Sequence, residues 1–289
     1  MGDPEVTTRE AAAKALNDLL YLGYAILRVL LRLLIGKDRR SWVMNVLGLH
    51  YSEIHAAILK IFSRDYAAKF GGIYDYEPHY RRIMRSVLKR GKTFIDVGVY
   101  KGLYTFYAYG LLRKKPDFKI IAVEPFPDNY RILVGKIDNE NIHLVKEAVW
   151  TRDDETVEFH VSRLSIDGSS LFGGISLTKR HAENSVPCGK TLYVKTVRLD
   201  TLIKKFKLEQ VDLVKMDIEG AEYEILTDPT LDLSNVYNIL VEVHYKYESK
   251  EFRKIIQSLA KHGFKIVPLS ISKSDRHHLL AYRGDEIPW

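Results

Sequence analysis

Between residues 93 and 283 the chain alternates short apolar runs with longer amphipathic stretches. The apolar runs predict seven strands, at 93–98, 119–124, 142–149, 211–216, 237–243, 264–269 and 277–283. The amphipathic stretches predict helices at about 103–114, 128–137, 219–227 and 249–262. Because strands alternate with helices, we expect an α/β fold with a doubly wound, mostly parallel seven-stranded sheet. The linker 270–276 is too short for a crossover helix, so the sheet should end in an antiparallel hairpin.

Two segments depart from this alternation. Residues 1–90 predict an α-helical N-terminal segment, so we expect a division into that segment and a domain at 91–289. Within the domain, 157–162 and 192–197 alternate apolar and polar residues and predict an inserted antiparallel pair. The glycine-containing stretch between them, at 167–174, is expected to be a loop that covers or binds the substrate.

The first helix of the N-terminal segment has two interpretations, and both stay open. Its run from Leu19 to Ile35 is almost entirely apolar, but Arg28 and Arg32 share one face with Lys14. The run is short for a membrane span, which needs about 20 residues, and each central Arg opposes insertion. We therefore expect either an amphipathic helix on a membrane surface or a helix packed on the domain or on a second copy in a homo-oligomer.

The positive charge is concentrated in front of the predicted domain. The chain has 289 residues and a formal net charge of +7; residues 1–92 contain 16 Lys and Arg against 9 Asp and Glu, and the rest contains 28 of each. A basic segment on a neutral domain indicates an anionic partner such as a membrane surface. Arg81, Arg85 and Lys89 recur on one helix face, which is either a solvated face or a phosphate-binding one. Nucleic acid is not expected as a partner, because no RNA-recognition signature or zinc knuckle accompanies these residues.

Cys188 is the single cysteine of the chain. One cysteine excludes an internal disulfide framework and a cysteine-based zinc cluster. We therefore expect a cytoplasmic protein, peripheral to the inner membrane surface if the first helix binds lipid. A catalytic thiol is not expected, since Cys188 lies between Pro187 and Gly189 in a predicted loop.

The clearest chemical signal is a strand followed by a glycine-containing turn. Asp96 ends the first predicted strand, and Gly98 and Gly102 follow it; the next strand ends at Glu124. Glycines without a Cβ allow a ligand to approach the backbone, and an acid at the next strand end can accept hydrogen bonds from ribose hydroxyls. The glycine spacing is not that of a dinucleotide site, and Pro125 forces the chain out of the strand. This combination favours S-adenosylmethionine (SAM), a nucleoside cofactor without a pyrophosphate.

From about residue 74 to 282 the chain resembles the FkbM family of SAM-dependent methyltransferases. The resemblance rests on segments in the same order, namely Tyr76-Glu77-Pro78, the Asp96 turn, 124–129, 147–149, 197–202 and, as the most specific string, 211–222. It implies a Rossmann-like class I methyltransferase fold and O-methylation of a sugar or another small-molecule or glycolipid hydroxyl. The chain departs from the family in having Val99 and Tyr100 after Gly98, where smaller residues are usual.

The expected cofactor-binding residues lie at the ends of the first four strands. Asp96 is expected to order the turn around the methionine part of SAM, Glu124 to bind the ribose, and Phe126 to flank the adenine. The complete expected set is Glu77, Asp96, Gly98, Tyr100, Gly102, Thr105, Glu124, Pro125, Phe126, Glu147, Ala148 and Asp217. Helix capping, packing and polar strand ends are the structural alternatives for these residues.

The expected catalytic residues are Lys215, Asp217, Glu242 and His244. Lys215 and Asp217 are two residues apart and share one side of their strand, as do Glu242 and His244. Asp217 is expected to balance the cationic cofactor, Lys215 to pair with it, and His244 beside Glu242 to act as a base for a hydroxyl. The leading expectation is a site without a metal ion. The alternative is that Asp217, Glu242 and His244 together bind a divalent ion. The adjacent histidines 277 and 278 are expected at the surface or at a sheet edge.

The sequence therefore predicts SAM-dependent methyl transfer to an oxygen of a small-molecule, glycan or glycolipid acceptor, by in-line displacement. One alternative is a SAM-binding subunit or a membrane-associated scaffold that does not catalyse, with Tyr100 narrowing the turn. Another is an NAD-dependent oxidoreductase in which Glu124 binds the ribose. A competition experiment between NADH and SAM for binding would distinguish this oxidoreductase from a methyltransferase.

Overall fold

The structure, a computed structural model, describes residues 78–162, 175–176, 188–271 and 276–288. The predicted first helix, the other helices before residue 78, Glu77 and the expected substrate-covering loop at 167–174 lie outside the described residues. Within the described residues, none of the helices combines the length and apolar character needed to cross a membrane.

Strands and helices alternate through the domain. The helices are α1 (Pro78–Arg90), α2 (Leu103–Leu112), α3 (Pro127–Val134), α4 (Leu199–Lys205), α5 (Glu222–Leu226) and α6 (Lys250–Lys261). The strands of the large sheet are β1 (Thr93–Val97), β2 (Lys119–Val123), β3 (Ile142–Val145), β8 (Leu213–Met216), β9 (Asn238–Val243), β10 (Lys265–Ile271) and β11 (His277–Tyr282). A second sheet contains β4 (Ala148–Val149), β5 (Thr156–Ser162), β6 (Ile175–Ser176) and β7 (Cys188–Val197).

The large sheet has seven strands in the order β10-β11-β9-β8-β1-β2-β3. The pairs from β9 to β3 are parallel, whereas β11 is antiparallel to both β9 and β10. This confirms the predicted α/β, Rossmann-like fold with a doubly wound, mostly parallel sheet and a terminal hairpin. The carboxyl ends of β1, β2, β8 and β9 consequently lie along one edge, where ligands of such sheets bind.

The smaller sheet contains the predicted inserted pair. Strands β5 and β7 are antiparallel over almost their full length, from Thr156 opposite Lys195 to Ser162 opposite Cys188. The prediction of one strand over 142–149 was wrong, because this run divides between two sheets. Its first part pairs with β2, and its second part pairs with β7, so the chain changes sheets at Lys146 and Glu147.

Helix α1 packs against the large sheet. Its buried side chains, including Ile83, Met84 and Leu88, share a core with Phe94 of β1 and Tyr107 of α2. Its basic residues at 82, 85, 89 and 90 are exposed. Because the residues before 78 are not described, the division of the chain at residue 90 stays a prediction.

The histidines of β11 lie neither at the surface nor at a sheet edge, so the prediction made for them was wrong. Strand β11 lies between β9 and β10, so His277 is fully buried, with its ring 5.4 Å from that of Phe252. The side chain of His278 is 14% exposed and faces Glu242. The error arose because a sequential hairpin does not reveal which of its two strands joins the parallel sheet.

Candidate active site

Glu124 connects the loops that follow β1 and β2. Its residue exposure is 4%, and its Oε2 accepts a hydrogen bond of 2.6 Å from the backbone N–H of Tyr100. Its Oε1 accepts from the backbone N–H of Phe126 at 2.9 Å and from Nδ2 of Asn129 at 3.5 Å. Burial raises the pKa of Glu124 to about 7, and the two backbone donors offset only part of this effect. A carboxylate can accept up to about four hydrogen bonds, so ribose hydroxyls can still bind it.

The turn after β1 has left-handed backbone at Gly98, Tyr100 and Gly102, where φ is +81°, +55° and +97°. A Cβ on Gly98 would lie 1.9 Å from the backbone oxygen of Asp217, so glycine is required by the neighbouring loop. Packing within the protein therefore requires glycine at this position, in addition to the expected approach of a ligand. The positive φ of Tyr100 is strained for a side chain of this size, and such strain is concentrated at functional sites.

The two bulky residues of this turn point in different directions. Val99 is buried in a cluster with Ala122 and Leu133, whereas Tyr100 is 38% exposed. The side chain of Val99 is thus accommodated by packing inward.

Asp96, Thr105 and Lys215 form a fully buried polar group beneath the turn. The Thr105 hydroxyl donates a hydrogen bond of 2.7 Å to Oδ2 of Asp96, and Lys215 Nζ lies 3.8 Å from Oδ1. Burial raises the pKa of Asp96, and the Lys215 charge opposes this. Lys215 Nζ also donates to the Gly98 carbonyl at 3.2 Å. These residues hold the turn from below, and contact with a cofactor stays a prediction for Asp96 and Thr105.

The residues expected around adenine are divided between the two sheets. Phe126 and Ala148 are buried in one cluster with Phe159 and Val194. Glu147, between β3 and β4, is half-buried. Packing accounts for the positions of Phe126 and Ala148, and their contact with adenine stays a prediction, as it does for Pro125.

Asp217 lies between the buried polar group beneath the turn and a second cluster of polar side chains. Its Oδ2 lies 3.6 Å from Lys215 Nζ, as expected for residues on one side of β8. Its Oδ1 faces Nε2 of His244 at 4.0 Å. The backbone N–H of Asp217 donates to the Val97 carbonyl at 3.1 Å, which fixes the end of β8 beside β1.

His244 is held by the buried carboxylate of Glu222. The distance between His244 Nδ1 and Glu222 Oε1 is 2.9 Å, and the same oxygen accepts from the backbone N–H groups of Ile218 and Gly220 at 3.2 Å. Burial lowers the pKa of His244, but the charge and hydrogen bond of Glu222 raise it by more, to well above 6.5. The raised pKa stabilises the imidazolium form, which disfavours the expected role of His244 as a base.

Two further carboxylates surround Nε2 of His244. Glu219 Oε2 lies at 3.4 Å and Glu242 Oε1 at 3.5 Å. Glu219, whose φ of +54° is left-handed, also lies 3.6 Å from an Arg276 nitrogen. Burial raises the pKa of Glu219 to about 7, although the charge of His244 lowers it. Asp217, Glu219, Glu222, Glu242 and His244 are called the acidic cluster below.

Three members of the acidic cluster have metal-ligand chemistry. Asp217, Glu242 and His244 each offer one ligand atom, and these atoms all lie within 4.8 Å of one another. Carboxylate oxygens with one imidazole nitrogen are a donor set used for divalent cations.

The predicted site residues did not include Asn129, Glu219 and Glu222. Asn129 stands in the segment after Glu124, and Glu222 resembles an ordinary acid in the first turn of a helix. The string Asp217-Ile218-Glu219-Gly220-Ala221-Glu222 was the available signal, because it places three acids directly after a buried strand.

Comparison with known proteins identifies the domain. The Methyltransferase FkbM domain family matches residues 96–266, which is more than half of the chain. The chain belongs to the FkbM methyltransferase family. Membership of this methyltransferase family agrees with the predicted cofactor, S-adenosylmethionine. The residues present fit this cofactor, since the buried carboxylate of Glu124 ends β2 with acceptor capacity remaining.

This FkbM methyltransferase has curated relatives of limited similarity. It is 31% identical over 80 residues to the hexuronic acid methyltransferase AglP of Haloferax volcanii, covering 28% of this chain and 33% of that protein. It is 27% identical over 154 residues to the 2-O-methyltransferase NoeI of Sinorhizobium fredii, covering 51% and 61%. The chain thus spans about a third and about three fifths of these relatives' lengths.

Solved structures include a methyltransferase FkbM from Methylobacillus flagellatus. It superposes with a TM-score of 0.41 at 12% identity, covering 86% of this chain and 56% of that one. The family assignment rests on the match over 96–266.

Proposed function

We propose that this protein methylates a hydroxyl oxygen of a sugar or of a similar polyhydroxylated small molecule or glycolipid. The observation that carries the proposal is a continuous series of charged contacts along the carboxyl edge of the sheet. Asp96 contacts Lys215 at 3.8 Å, Lys215 contacts Asp217 at 3.6 Å, and Asp217 faces His244 at 4.0 Å. An acceptor at the acidic cluster would therefore adjoin the cofactor loops.

The cofactor side of the site consists of the loops after β1 and β2. Glu124 would accept hydrogen bonds from the ribose hydroxyls, and Asn129 helps to hold its carboxylate in place. Asp96 and Lys215 would fix the turn that lies over them. When bound, SAM supplies an electrophilic methyl group.

The solvent exposure of the carboxylates indicates where an acceptor would enter the acidic cluster. The side chains of Asp217 and Glu219 are each 30% exposed, whereas those of Glu222 and Glu242 are 0% and 9% exposed. An entering acceptor would meet Asp217 and Glu219 first, and carboxylates accept hydrogen bonds from hydroxyls. We assign Glu219 as the group that takes the hydroxyl proton, because its carboxylate is partly exposed and burial raises its pKa to about 7.

The class of acceptor is supported by the relatives. The similar proteins AglP and NoeI are named as a hexuronic acid methyltransferase and a 2-O-methyltransferase. An exposed pair of carboxylates suits an acceptor with several hydroxyl donors. Both observations favour a saccharide acceptor over one with a nitrogen or carbon nucleophile.

The test uses SAM with a ¹³C-labelled methyl group and a panel of saccharides, uronic acids and lipid-linked saccharides. Carbon–proton correlation spectra of the products distinguish an O-methyl from an N-methyl group. We expect O-methyl signals with at least one saccharide class, and loss of turnover in Glu219→Gln while S-adenosylhomocysteine (SAH) still binds.

The matched control is Glu209→Gln, an exposed acid on the loop before β8, which should leave turnover unchanged. Binding of SAH without transfer to any acceptor would contradict the proposal and favour a non-catalytic SAM-binding subunit. Turnover by Glu219→Gln at the wild-type rate would contradict the assigned role of Glu219.

A further inference from the structure

The positive charge of the chain is concentrated on α1 and on the residues that follow it. Residues 78–116, from the start of α1 to just beyond α2, contain ten Lys and Arg and a single acid, Asp96, which is fully buried. This stretch carries a formal charge of +9, and the rest of the chain carries −2. Residues 1–77 are nearly neutral, with ten Lys and Arg against nine Asp and Glu. The excess charge in front of the domain therefore belongs to α1 itself.

Packing of α1 on the sheet turns its cations outward. One side of the helix is buried in the core that contains Phe94 and Tyr107. The other side carries four exposed cations, here called the basic face of α1, namely Arg82, Arg85, Lys89 and Arg90. Three of them recur at intervals of three and four residues, so they are neighbours along about 10 Å of the helix.

The end of α2 adds further cations next to the basic face. Lys115 Nζ donates hydrogen bonds to three backbone carbonyls of residues 88–91, at 2.7–2.8 Å, which fixes the segment after α2 to the end of α1. Arg113 and Lys114, both exposed, directly precede Lys115. They consequently lie beside the last turn of α1.

Helix stability does not explain this arrangement. Lys89 and Arg90 lie in the last turn of α1 and suit the helix dipole, but Arg82 and Arg85 lie further from that end. Helix α1 contains neither Asp nor Glu, so acids of its own do not offset the repulsion between like charges three and four residues apart. Protein surfaces ordinarily mix the two signs of charge. An anionic partner would relieve this repulsion.

The layout of the cations favours a membrane surface as that partner. They extend along a helix, whereas a site for one phosphate group needs donors that converge on it. The exposed side chains of residues 80–90 include no aromatic ring on which nucleic acid bases could stack. Four or more Lys and Arg on an amphipathic helix are typical of surfaces that bind anionic lipids. The sequence before α1 also contains the apolar run 19–35, a second feature suited to a membrane surface.

We propose that the basic face of α1 docks the protein on the anionic headgroups of a membrane. The first turn of α1 adjoins the candidate active site, since the Tyr80 ring lies 5.6 Å from that of Tyr104, whose centre lies 5.0 Å from Lys215 Nζ. Docking through α1 would therefore keep the carboxyl edge of the sheet near a lipid-linked acceptor. This second role rests on the proposed function, whereas binding to the membrane does not.

The test is sedimentation of the full chain with vesicles, without SAM or acceptor. One set of vesicles contains phosphatidylcholine alone, and the other contains about 30% of the anionic lipid phosphatidylglycerol in phosphatidylcholine. We expect binding to the anionic vesicles to be at least roughly tenfold tighter, and to be lost as the salt concentration rises. The combined variant Arg82→Gln, Arg85→Gln and Lys89→Gln should bind about 100-fold more weakly, because each cation near an anionic surface contributes about a factor of five.

The matched control removes three exposed cations from α6, by Lys250→Gln, Arg253→Gln and Lys261→Gln. Helix α6 packs in the core cluster that contains Ile95 and Val97, whereas α1 packs in the one that contains Phe94. Since successive residues of a strand point to opposite faces, the two helices cover opposite faces of the sheet. The control variant has the same net charge as the α1 variant and should bind the vesicles nearly as well as the wild type. Thermal unfolding checks that both variants are folded.

Three results would overturn the docking proposal. They are equal binding of the wild type to neutral and anionic vesicles, wild-type binding by the folded α1 variant, and equal losses in the α1 and α6 variants. Retention of the chain on single-stranded RNA but not on anionic vesicles would also overturn it and identify nucleic acid as the anion. Vesicle binding that depends on α1, without methyl transfer to any acceptor, would support docking and contradict the proposed function alone.

Discussion

The backbone N–H of Tyr100 donates a hydrogen bond of 2.6 Å to Oε2 of Glu124, which joins the turn after β1 to the end of β2. The carboxylate expected to bind the ribose is therefore also the group that holds the neighbouring turn. Because Glu124 is almost completely buried, both tasks depend on its ionisation state.

SAH binding should become tighter as the pH rises through 7. Burial raises the pKa of Glu124 to about 7, so part of the population is protonated at neutral pH. Ribose hydroxyls donate to the carboxylate form, so binding is coupled to loss of this proton. The Kd should fall by up to about tenfold per pH unit below 7 and level off above it. Calorimetric titrations between about pH 6 and 8 measure this, and a similar slope in Glu124→Gln would contradict it.

The same ionisation should affect the stability of the ligand-free protein. Glu124 has a pKa of 4.5 in the unfolded chain and about 7 in the folded one, so the folded state holds the proton more tightly. Its contribution is fully present below about pH 4.5 and is lost as the pH rises through 7, by roughly 3 kcal/mol. Urea unfolding at several pH values should show a steeper decline in the free energy of unfolding for the wild type than for Glu124→Gln.

Gly98→Ala should destabilise the protein more than the same change at Gly263. Both glycines have left-handed φ, +81° and +85°, so alanine strains the backbone at each by about 1–2 kcal/mol. A Cβ at Gly98 would also lie 1.9 Å from the Asp217 backbone oxygen, whereas nothing lies within 4 Å at Gly263. Thermal unfolding of the two variants separates the effect of the steric clash from that of the backbone strain. Equal losses of stability would show that the neighbouring loop moves away from the new Cβ without an energetic cost, which would contradict the prediction.

Arg198→Ala should cost about 3 kcal/mol of unfolding free energy. Arg198 has a 15% exposed side chain, pairs with Asp200 and Asp228 at 2.9 and 2.7 Å, and donates to the Thr151 and Thr230 carbonyls. Its loss leaves those carboxylates and carbonyls without their donor. The control is Arg152→Ala, whose 77% exposed side chain pairs with Glu155 at 3.3 Å.

Denaturant unfolding should show a change of about 0.5 kcal/mol or less for Arg152→Ala, because exposed ion pairs contribute little. An equal effect of both arginines would contradict the structural account of Arg198.

Lys215→Met should increase the preference of the site for SAM over SAH. The ammonium of Lys215 is 3% exposed and lies within 3.8 Å of Asp96 and 3.6 Å of Asp217. Without it, the partly exposed Asp217 carboxylate attracts the cationic sulfonium of SAM more strongly, while uncharged sulfur in SAH gains nothing. The ratio of the two Kd values should change by about tenfold, or roughly 1.4 kcal/mol.

Calorimetry with both ligands gives this ratio, which is independent of a uniform loss of affinity. The control is Lys119→Met. Lys119 lies at the start of β2, away from the site, and its Nζ donates to the Phe206 carbonyl. A ratio that is unchanged in Lys215→Met would contradict the electrostatic role.

The sequence predicted those site residues whose positions follow from a strand and the turn after it. Asp96 and Glu124 end apolar runs in adjacent parallel strands, so local pattern alone places them at one edge. Lys215 with Asp217, and Glu242 with His244, follow from the alternation of sides along a strand. The seven strands of the large sheet were predicted for the same reason.

What the sequence could not provide is pairing between distant elements. Glu222 meets His244 across 22 residues, and the string 217–222 groups it with other acids without indicating this partner. The short helix α4 was missed, and the run 142–149 gave no sign that its two halves pair with different strands. The raised pKa of His244 likewise depends on the carboxylates of Glu222, Glu242 and Glu219, which only the folded chain brings together.

The reversed direction of β11 has a consequence for how the activity can diversify. Since β11 runs opposite to β9, its first residues, including His278 opposite Glu242, lie at the edge where the parallel strands end. Substitutions at the first residues of β11 are thus expected to change the polar edge beside Glu242, while the pairing of β11 with β9 keeps the strand in register.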